Sequence, residues 1–255
     1  MACDPDYLRA TALSPSVAKL KQEAYAALEI GEGSRVIDVG CGPGIDTVPL
    51  ARIVGPGGFI TGVDADAAAV EEANRAAVDA GVGAYTRHLV GDATALPLPS
   101  AHADACYSER LLQHVAWQKA RSVAEELVRI VVPGGRIVIV DTDWATLSIS
   151  SADAWLERRI VQELAFGFAN PYSGRDLPAL FRTAGVLALS VRTFDLQLNF
   201  DSLTFLLAAP LQRGVATGRI HSAEAKRWSE AMRMANDYGI FFAHLSMIMV
   251  AGRVP

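Results

Sequence analysis

The sequence predicts an α/β protein built on a doubly wound, mostly parallel β-sheet with helices on both faces. Short runs rich in β-branched residues alternate with helix-length segments through the first half of the chain, which is the pattern of such a sheet. The first run ends at a cluster of glycines, and open parallel sheets bind ligands where their strands end. With 255 residues, 51% of them hydrophobic, the chain can bury a sizeable core.

The elements of the first half are predicted from their composition and their boundaries. Ser14 is suited to cap a first helix, and Pro15 favours its first position. Gly31 and Gly33 interrupt the helical pattern, and strands then alternate with helices. The predicted helices cover 15–29, 45–54, 67–80 and 117–132, and the predicted strands cover 35–39, 59–63, 86–90, 104–108 and 136–141.

Beyond Trp144 the alternation gives way to a segment rich in helices. Helices are predicted over 152–168, 174–184, 201–211 and 222–238, and strands over 186–194 and 241–250. We expect the additional helices to cover one edge of the sheet. Because no linker rich in Pro, Gly or Ser separates the two halves, a single domain spanning 1–255 is predicted.

The charge and the cysteine content exclude several classes of protein. The 23 Lys and Arg residues against 28 Asp and Glu residues give a net charge of −5, which is unsuited to coating nucleic acid. Cys3, Cys41 and Cys106 are too few for a disulfide framework, so we expect a reducing, cytoplasmic environment. The sequence lacks a signal peptide and an apolar run of about 20 residues, which predicts a soluble protein without a membrane span.

The glycine cluster has acidic neighbours that indicate its ligand. Its sequence is Asp38-Val39-Gly40-Cys41-Gly42-Pro43-Gly44-Ile45-Asp46. A dinucleotide fingerprint needs glycine where Ile45 stands, and Asp38 and Asp46 would repel a pyrophosphate, so a nicotinamide-dependent dehydrogenase is disfavoured. Carboxylates suit a cation instead. S-adenosylmethionine carries a sulfonium and an ammonium, and it is the cofactor that this loop predicts.

The stretch from Asp38 to Gly44 resembles the motif that opens class I S-adenosylmethionine-dependent methyltransferases. The chain is similar to their small-molecule type, related to the ubiquinone and menaquinone C-methyltransferases, over about residues 31–143. The resemblance implies a Rossmann-like, seven-stranded sheet with an antiparallel last strand, S-adenosylmethionine as cofactor and S-adenosylhomocysteine as product. The predicted regions are an N-terminal helical cap (1–30), a cofactor-binding core (31–143), substrate-covering helices with the sixth strand (144–240) and the final strand (241–255).

The resemblance also implies cofactor-binding residues at the ends of several strands. Asp64, at the end of the second strand, would take both ribose hydroxyls, and Asp92, after the third, would accept the adenine amino group. The stretches 106–115 and 132–136 are similar to the end of the fourth strand and to the turn into the fifth. The predicted cofactor-binding residues are Asp38, Gly40, Cys41, Gly42, Gly44, Asp64, Ala65, Asp92, Ala93 and Ser108.

Two residues are candidates for acid-base catalysis. His114 follows the fourth strand, and an ordinary imidazole titrates near neutrality, although a histidine at such a place is often structural. Asp143 lies at the carboxyl end of the fifth predicted strand and either faces the acceptor or caps the next turn. His88, His102 and His221 lie in polar stretches and are predicted at the surface.

Four further residues are candidates for contact with the methyl acceptor: Trp144, Asn170, Tyr172 and Arg175. Arg175 either binds an anionic group of the acceptor or is a solvated residue in the first turn of a helix that Ser173 caps. Histidine, cysteine and acidic residues do not show the spacing of metal ligands, so we expect no metal site.

These observations predict a metal-independent methyl transfer to an oxygen, carbon or nitrogen atom of a small, largely apolar metabolite, as in natural-product biosynthesis. Two alternatives stay open. One is an enzyme that binds S-adenosylmethionine but catalyses a rearrangement or a decarboxylation, and the other is a non-catalytic module that binds the cofactor. A small molecule is the expected partner, with neither nucleic acid nor membrane, and a homodimer is left open.

Overall fold

The computed structural model describes residues 14–255, so Cys3 and the beginning of the predicted N-terminal cap lie outside the described residues. The helices are α1 (Pro15–Ala27), α2 (Thr47–Val54), α3 (Ala67–Asp79), α4 (Ala120–Ile130), α5 (Ala154–Ala165), α6 (Ser173–Thr183), α7 (Phe200–Ala216) and α8 (Ser222–Asp237). The strands are β1 (Arg35–Val39), β2 (Phe59–Asp64), β3 (Thr86–Val90), β4 (Ala103–Glu109), β5 (Val131–Ile149), β6 (Leu187–Leu198) and β7 (Ala243–Arg253). Short 3-10 helices cover Gly83–Tyr85, Leu112–His114 and Trp117–Lys119.

The strands form one seven-stranded sheet in the order β3-β2-β1-β4-β5-β7-β6. The pairs from β3 to β5 are parallel, whereas β7 runs antiparallel between β5 and β6. The predicted fold class is confirmed, including the antiparallel last strand. The strand order switches direction between β1 and β4, and open parallel sheets bind ligands in the crevice at such a point.

The N-terminal helix α1 is seated by its apolar stripe. The Ser14 hydroxyl accepts a hydrogen bond from the backbone N–H of Val17 at 3.3 Å, which is the expected cap. Val17, Leu20, Ala24 and Leu28 recur at helical spacing and are buried, and the helix packs against β5 and β6. Within residues 14–255, every helix falls short of the length and apolarity that a membrane crossing needs.

Strand β5 is longer than predicted at both ends. It begins at Val131 directly after α4, and pairing with β4 shortens the helix that the sequence predicts there. It continues to Ile149 because the first residues of β7 pair with it, Ala243 opposite Ile149. Asp143 and Trp144 therefore lie within a strand rather than at its end.

Helices α5, α7 and α8, called the covering helices below, lie beyond one edge of the sheet. Because β5 and β6 are both antiparallel to β7, they run parallel to each other and to β1, β2 and β4. The end of β6 leads into α7 and α8, and the extended end of β5 leads into α5. Since α5 packs against α7 and α7 against α8, these helices are placed beyond the carboxyl ends of the parallel strands.

Candidate active site

The glycine loop that follows β1 is held by the end of β2. The backbone N–H groups of Gly40 and Cys41 both donate to the carbonyl oxygen of Val63, at 2.8 and 3.2 Å. The Asp64 carboxylate accepts a hydrogen bond from the N–H of Gly42 at 2.8 Å. Gly42 has a φ of +50°, and a Cβ built on it would meet nothing within 4 Å. The loop thus keeps an open face that a ligand can approach.

Gly44 serves the opposite purpose, close packing. Its φ is +83°, and a Cβ would lie 2.9 Å from Thr47 Oγ1 and 3.1 Å from Ala73 Cα. Helices α2 and α3 therefore approach the loop more closely than a side chain would permit. Gly42 therefore leaves open space beside the loop, whereas Gly44 allows the helices to pack against it.

Asp38 is a buried carboxylate at the end of β1 with an oxygen that lacks a hydrogen-bond partner. The residue is 2% exposed, and its Oδ2 has no partner within the described residues. Burial, together with the nearby Asp46 carboxylate, raises the pKa of Asp38 well above its usual range. An unpaired buried carboxylate is costly and is stabilised by a cation. The ammonium of S-adenosylmethionine fits this demand, so the loop and Asp38 suit the predicted cofactor.

A lysine that the sequence analysis missed lies beside the glycine loop. The Lys21 ammonium of α1 donates to Asp46 Oδ1 at 2.5 Å and to Glu109 Oε2 at 2.9 Å. The Tyr25 hydroxyl donates to the same Asp46 oxygen at 2.5 Å, and the Tyr107 hydroxyl donates to Glu109 at 2.7 Å. Together with Asp38 these five residues are called the loop-side cluster below.

The charges of the loop-side cluster shift one another's pKa values. Burial by itself lowers the pKa of Lys21, but Asp46 and Glu109 outweigh it and raise the value. Burial raises the pKa of Glu109, but Lys21 and Arg110 outweigh it and bring the value to about 2. The signal in the sequence is that Lys21 lies four residues after Val17, on the apolar stripe, where a charge needs a buried partner.

The other predicted cofactor residues lie at the same edge of the sheet. Asp64 Oδ1 also accepts the Asp66 N–H at 2.9 Å, and its carboxylate keeps further lone pairs for a ligand. Asp92 is exposed, and the Thr94 N–H and hydroxyl, both at 2.8 Å, lower the pKa of its carboxyl. Ser108 on β4 is buried, and its hydroxyl has no partner within the described part of the chain. Ala65 is exposed and Ala93 half-buried.

His88 is not at the surface as predicted, and this interpretation was wrong. It lies in the middle of β3 and is 5% exposed, with its ring between Asn74 Oδ1 at 2.9 Å and Thr47 Oγ1 at 3.2 Å. Burial lowers the pKa of His88 to about 4, so the ring is neutral at pH 7. The histidine ties β3 to α2 through Thr47 and to α3 through Asn74.

The segments that carry the predicted acceptor residues are joined by Asp141, a buried residue of β5. Its carboxylate accepts hydrogen bonds from the N–H groups of Leu112 and Gln113 at 2.7 and 3.2 Å, and of Thr142 at 2.8 Å. Burial raises the pKa of Asp141 to about 6 in spite of these bonds. The 3-10 helix after β4 is thereby fixed to the end of the parallel part of β5.

His114, the predicted base, ends this 3-10 helix and lies beside an aromatic pair. The Trp144 and Phe168 rings are stacked with centroids 4.5 Å apart, and the His114 ring is 5.7 Å from Phe168. Gln113 links the aromatic pair to His114. Its Oε1 accepts a hydrogen bond from Trp144 Nε1 at 2.9 Å, and its Nε2 is 3.1 Å from His114 Nε2. Desolvation lowers the pKa of His114, so its imidazole is neutral at pH 7 although the residue is exposed.

Asp143, the other predicted base, is bound by Arg175. The Arg175 guanidinium donates from Nε and Nη2 to the two carboxylate oxygens at 2.6 and 2.8 Å. It also lies over the Tyr172 ring, 5.1 Å from the centroid. A carboxylate in a bidentate ion pair is a weak proton acceptor, so between the two candidates the geometry favours His114 as base.

The remaining candidates lie in the chain before α6. The buried Asn170 donates its backbone N–H to the Gln113 carbonyl at 3.1 Å, which ties this segment to the aromatic pair. Ser173 does not cap α6, because it is the first residue of the helix and its hydroxyl points to the Thr142 carbonyl at 3.5 Å. The sequence did not indicate the roles of Gln113 and Phe168, which appear only once these segments meet.

Comparison with known proteins identifies related chains. A family model described as a methyltransferase domain matches residues 36–135. An uncharacterised 37.1 kDa protein in a transposon of Streptomyces fradiae is 30% identical over 253 residues, covering 97% of this chain and 70% of the relative. A demethylmenaquinone methyltransferase of a Geobacillus species is 26% identical over 192 residues, covering 69% of this chain and 80% of the relative. The fold is similar to the crystal structure of the YcgJ protein from Bacillus subtilis, with a TM-score of 0.66, 20% identity and coverage of 92% and 98%.

Proposed function

This chain belongs to the class I S-adenosylmethionine-dependent methyltransferases, and we propose that it methylates an oxygen, carbon or nitrogen atom of a small, largely apolar metabolite without a metal ion. The observation that carries the proposal is the stacked pair of Trp144 and Phe168 beside His114. Stacked aromatic side chains favour a flat, apolar molecule. A relative named for demethylmenaquinone supports an acceptor of this kind.

The aromatic pair is connected to the glycine loop through the segment after β4. A Cβ built on Gly40 would lie 3.1 Å from the Leu111 side chain, and Leu111 directly precedes the 3-10 helix that carries His114. An acceptor on the aromatic pair would therefore lie close to a cofactor held by the loop. This proximity supports a direct transfer between the two.

The proposed mechanism follows from the parts of the cofactor that Asp38 and Asp64 can bind. S-adenosylmethionine, when bound, supplies a methyl group activated by a sulfonium sulfur. Asp38 would bind the ammonium of the cofactor, and Asp64 would accept hydrogen bonds from its ribose. Orientation and exclusion of water supply about 7–11 kcal/mol in well-aligned reactions, so the protein needs little further chemistry.

His114 is the residue that we propose as general base. Its imidazole is neutral at pH 7 and lies at the edge of the aromatic pair. Its Nε2 accepts from Gln113 Nε2 at 3.1 Å, so it would hold the proton of a phenol, an enol or an acidic carbon once the acceptor displaces this hydrogen bond. Asp143 and Arg175 would position Tyr172 and the start of α6 beside the acceptor. Asp143 then serves as a positioning residue and not as a base.

Metal independence rests on the side chains themselves. Within residues 14–255, His, Cys, Asp and Glu residues do not form a group of three or more that could hold a metal ion. Near the aromatic pair, Asp141 is bound by backbone N–H groups and Asp143 by Arg175. We therefore expect a chelator to leave the rate of methyl transfer unchanged.

The proposal is tested by incubating the protein with S-adenosylmethionine and a panel of phenols, quinols and enols. We expect S-adenosylhomocysteine and a product heavier by one methylene unit, detected by mass spectrometry. His114→Gln should lower kcat by about 100-fold or more with an acidic acceptor, and His102→Gln serves as the matched control. Conversion of an acceptor without consumption of the cofactor would support a rearrangement or decarboxylation, and saturable binding without turnover would support the non-catalytic alternative.

The compartment and the oligomeric state are proposals that await direct tests. Cys41 and Cys106 are buried free thiols, which supports a reducing, cytoplasmic environment. Sedimentation velocity at micromolar concentration would test the homodimer, and a nucleic-acid binding assay at low salt would test the expected absence of that partner.

A further inference from the structure

The loop-side cluster contains more acidic than basic groups in a buried place. Asp38, Asp46 and Glu109 are its carboxylates, and the Lys21 side chain, only 10% exposed, is its ammonium. Lys21 bonds to Asp46 and Glu109, whereas Asp38 Oδ2 has no partner within the described residues. Lys21 therefore pairs with Asp46 and, together with Arg110 at 3.0 Å, with Glu109, whereas no ion pair reaches Asp38 within the described residues.

We propose that Lys21 is a positioning residue for the amino-acid arm of the cofactor. By pairing with Asp46 and Glu109, it offsets the two carboxylates that oppose a negative charge on Asp38, and Asp38 can then receive the cofactor's ammonium. Helix α1 thereby takes part in cofactor binding through its effect on Asp38.

The groups around Asp38 determine how its ionisation responds to Lys21. They are the carboxylates of Asp46, Asp64 and Glu109, the Lys21 ammonium, the Tyr25 phenol and the thiols of Cys41 and Cys106. After burial, which raises the pKa of Asp38 most, the three carboxylates raise it further, and Lys21 lowers it. Removal of Lys21 would therefore raise the pKa of Asp38 further and favour its neutral form, which offers no charge to an ammonium.

The experiment measures the dissociation constants of S-adenosylmethionine and S-adenosylhomocysteine by calorimetry between pH 6 and pH 9. The ligand ionises identically in the measurements on variant and wild type at a given pH, so its own titration cancels in the ratio of the two Kd values. For Lys21→Met we expect the ratio to be on the order of tenfold at neutral pH. It should fall towards one as the pH rises, because a higher pH ionises Asp38 in the variant as well. Lys21→Arg should retain most of the affinity, and Lys19→Met, an exposed lysine of the same helix, should not change it.

A second variant predicts a shift in the opposite direction. Glu109 raises the pKa of Asp38, so Glu109→Gln should extend binding to lower pH and give a Kd ratio below one at pH 6. A purely structural role for Lys21 would weaken binding equally at every pH, and that result would overturn the proposal. If Lys21→Met does not fold, Glu109→Gln alone tests the proposal. An unchanged or lower affinity of this variant for the cofactor at pH 6 would then contradict it. These readouts concern binding only, so they are independent of whether the methyl acceptor has been identified.

Discussion

Two groups of buried charges, the loop-side cluster and the acids of the covering helices, differ in how they are balanced. In the covering helices, Glu163 is 3% exposed, receives a hydrogen bond from Arg219 Nη2 at 3.0 Å and lies beside Arg213. In the loop-side cluster, Asp38 is equally buried, but one of its oxygens has no partner within the described residues. A buried carboxylate is thus paired with arginines in the covering helices, whereas the one in the loop-side cluster keeps an oxygen without a partner.

The pairing in the covering helices extends over several elements. Glu157 of α5 pairs with Arg158 and accepts the Ile149 N–H at 2.9 Å, and Arg159 pairs with Glu224 of α8 at 3.0 Å. Such pairs join α5 to β5 and to the other covering helices, so these charges maintain the architecture. An unpaired buried charge is costly to the folded protein and is a mark of a binding site. Imbalance thus distinguishes the cluster that we propose to bind the cofactor from the acids that hold the covering helices together.

The largest effect that we predict from this comparison is acid sensitivity at the cofactor edge. The pKa of His88 is about 4 in the folded protein and 6.5 when unperturbed, so its contribution to stability is complete above pH 6.5. As the pH falls from about 6.5 to about 4, the unfolded state binds the extra proton and up to about 3 kcal/mol is lost. The buried acids of the covering helices are instead held in ion pairs.

The contribution of His88 is isolated by comparing how the free energy of unfolding depends on pH in the wild type and in His88→Gln. Asp38 and Asp141 have raised pKa values and act in the opposite direction over the same pH range, so the wild-type profile alone is a sum. Urea unfolding at several pH values should show that the variant loses less stability than the wild type on acidification, while His102→Gln follows the wild type. Parallel profiles for His88→Gln and wild type would show that the histidine is not a source of acid sensitivity.

The next effect in size concerns the unpaired carboxylate. Asp38→Asn should weaken S-adenosylmethionine binding by about 10–100-fold, because a hydrogen bond to a charged group contributes about 1.5–3 kcal/mol. The free energy of unfolding should stay the same or rise, since a neutral amide is less costly to bury. Calorimetry and urea unfolding measure the two quantities, with Asp79→Asn on the exposed side of α3 as control. A fall in stability without a change in affinity would assign Asp38 to the architecture instead.

The part of the site that is local in sequence could be predicted. The glycine loop, Asp64 and Asp92 lie at or just beyond the ends of strands, and a parallel sheet places all of these ends at one edge. Lys21 could have been found as a charge on an apolar stripe. His88 was misassigned because a histidine among polar residues carries no sign of the helices that cover it.

The part that depends on distant segments could not be predicted. Arg175 meets Asp143 across 32 positions, and Gln113 meets Trp144 across 31, so no local pattern reveals either contact. The length of β5 is likewise set by β7, about a hundred residues later, rather than by its own composition. Propensity and periodicity describe single elements, whereas these contacts arise from how the elements pack.

The smallest effect that we predict lies in the covering helices. Glu163→Gln removes the negative charge that Arg213 and Arg219 share. The two arginine side chains are 34% and 49% exposed, so water can solvate them after the substitution. We expect the free energy of unfolding to fall by about 1–2 kcal/mol, less than for a fully buried pair, with an unchanged Kd for S-adenosylmethionine. Glu230→Gln, exposed on α8, should alter neither quantity. A loss of cofactor affinity comparable to that of Asp38→Asn would show that paired charges also serve the site, and charge imbalance would then no longer distinguish binding from architecture.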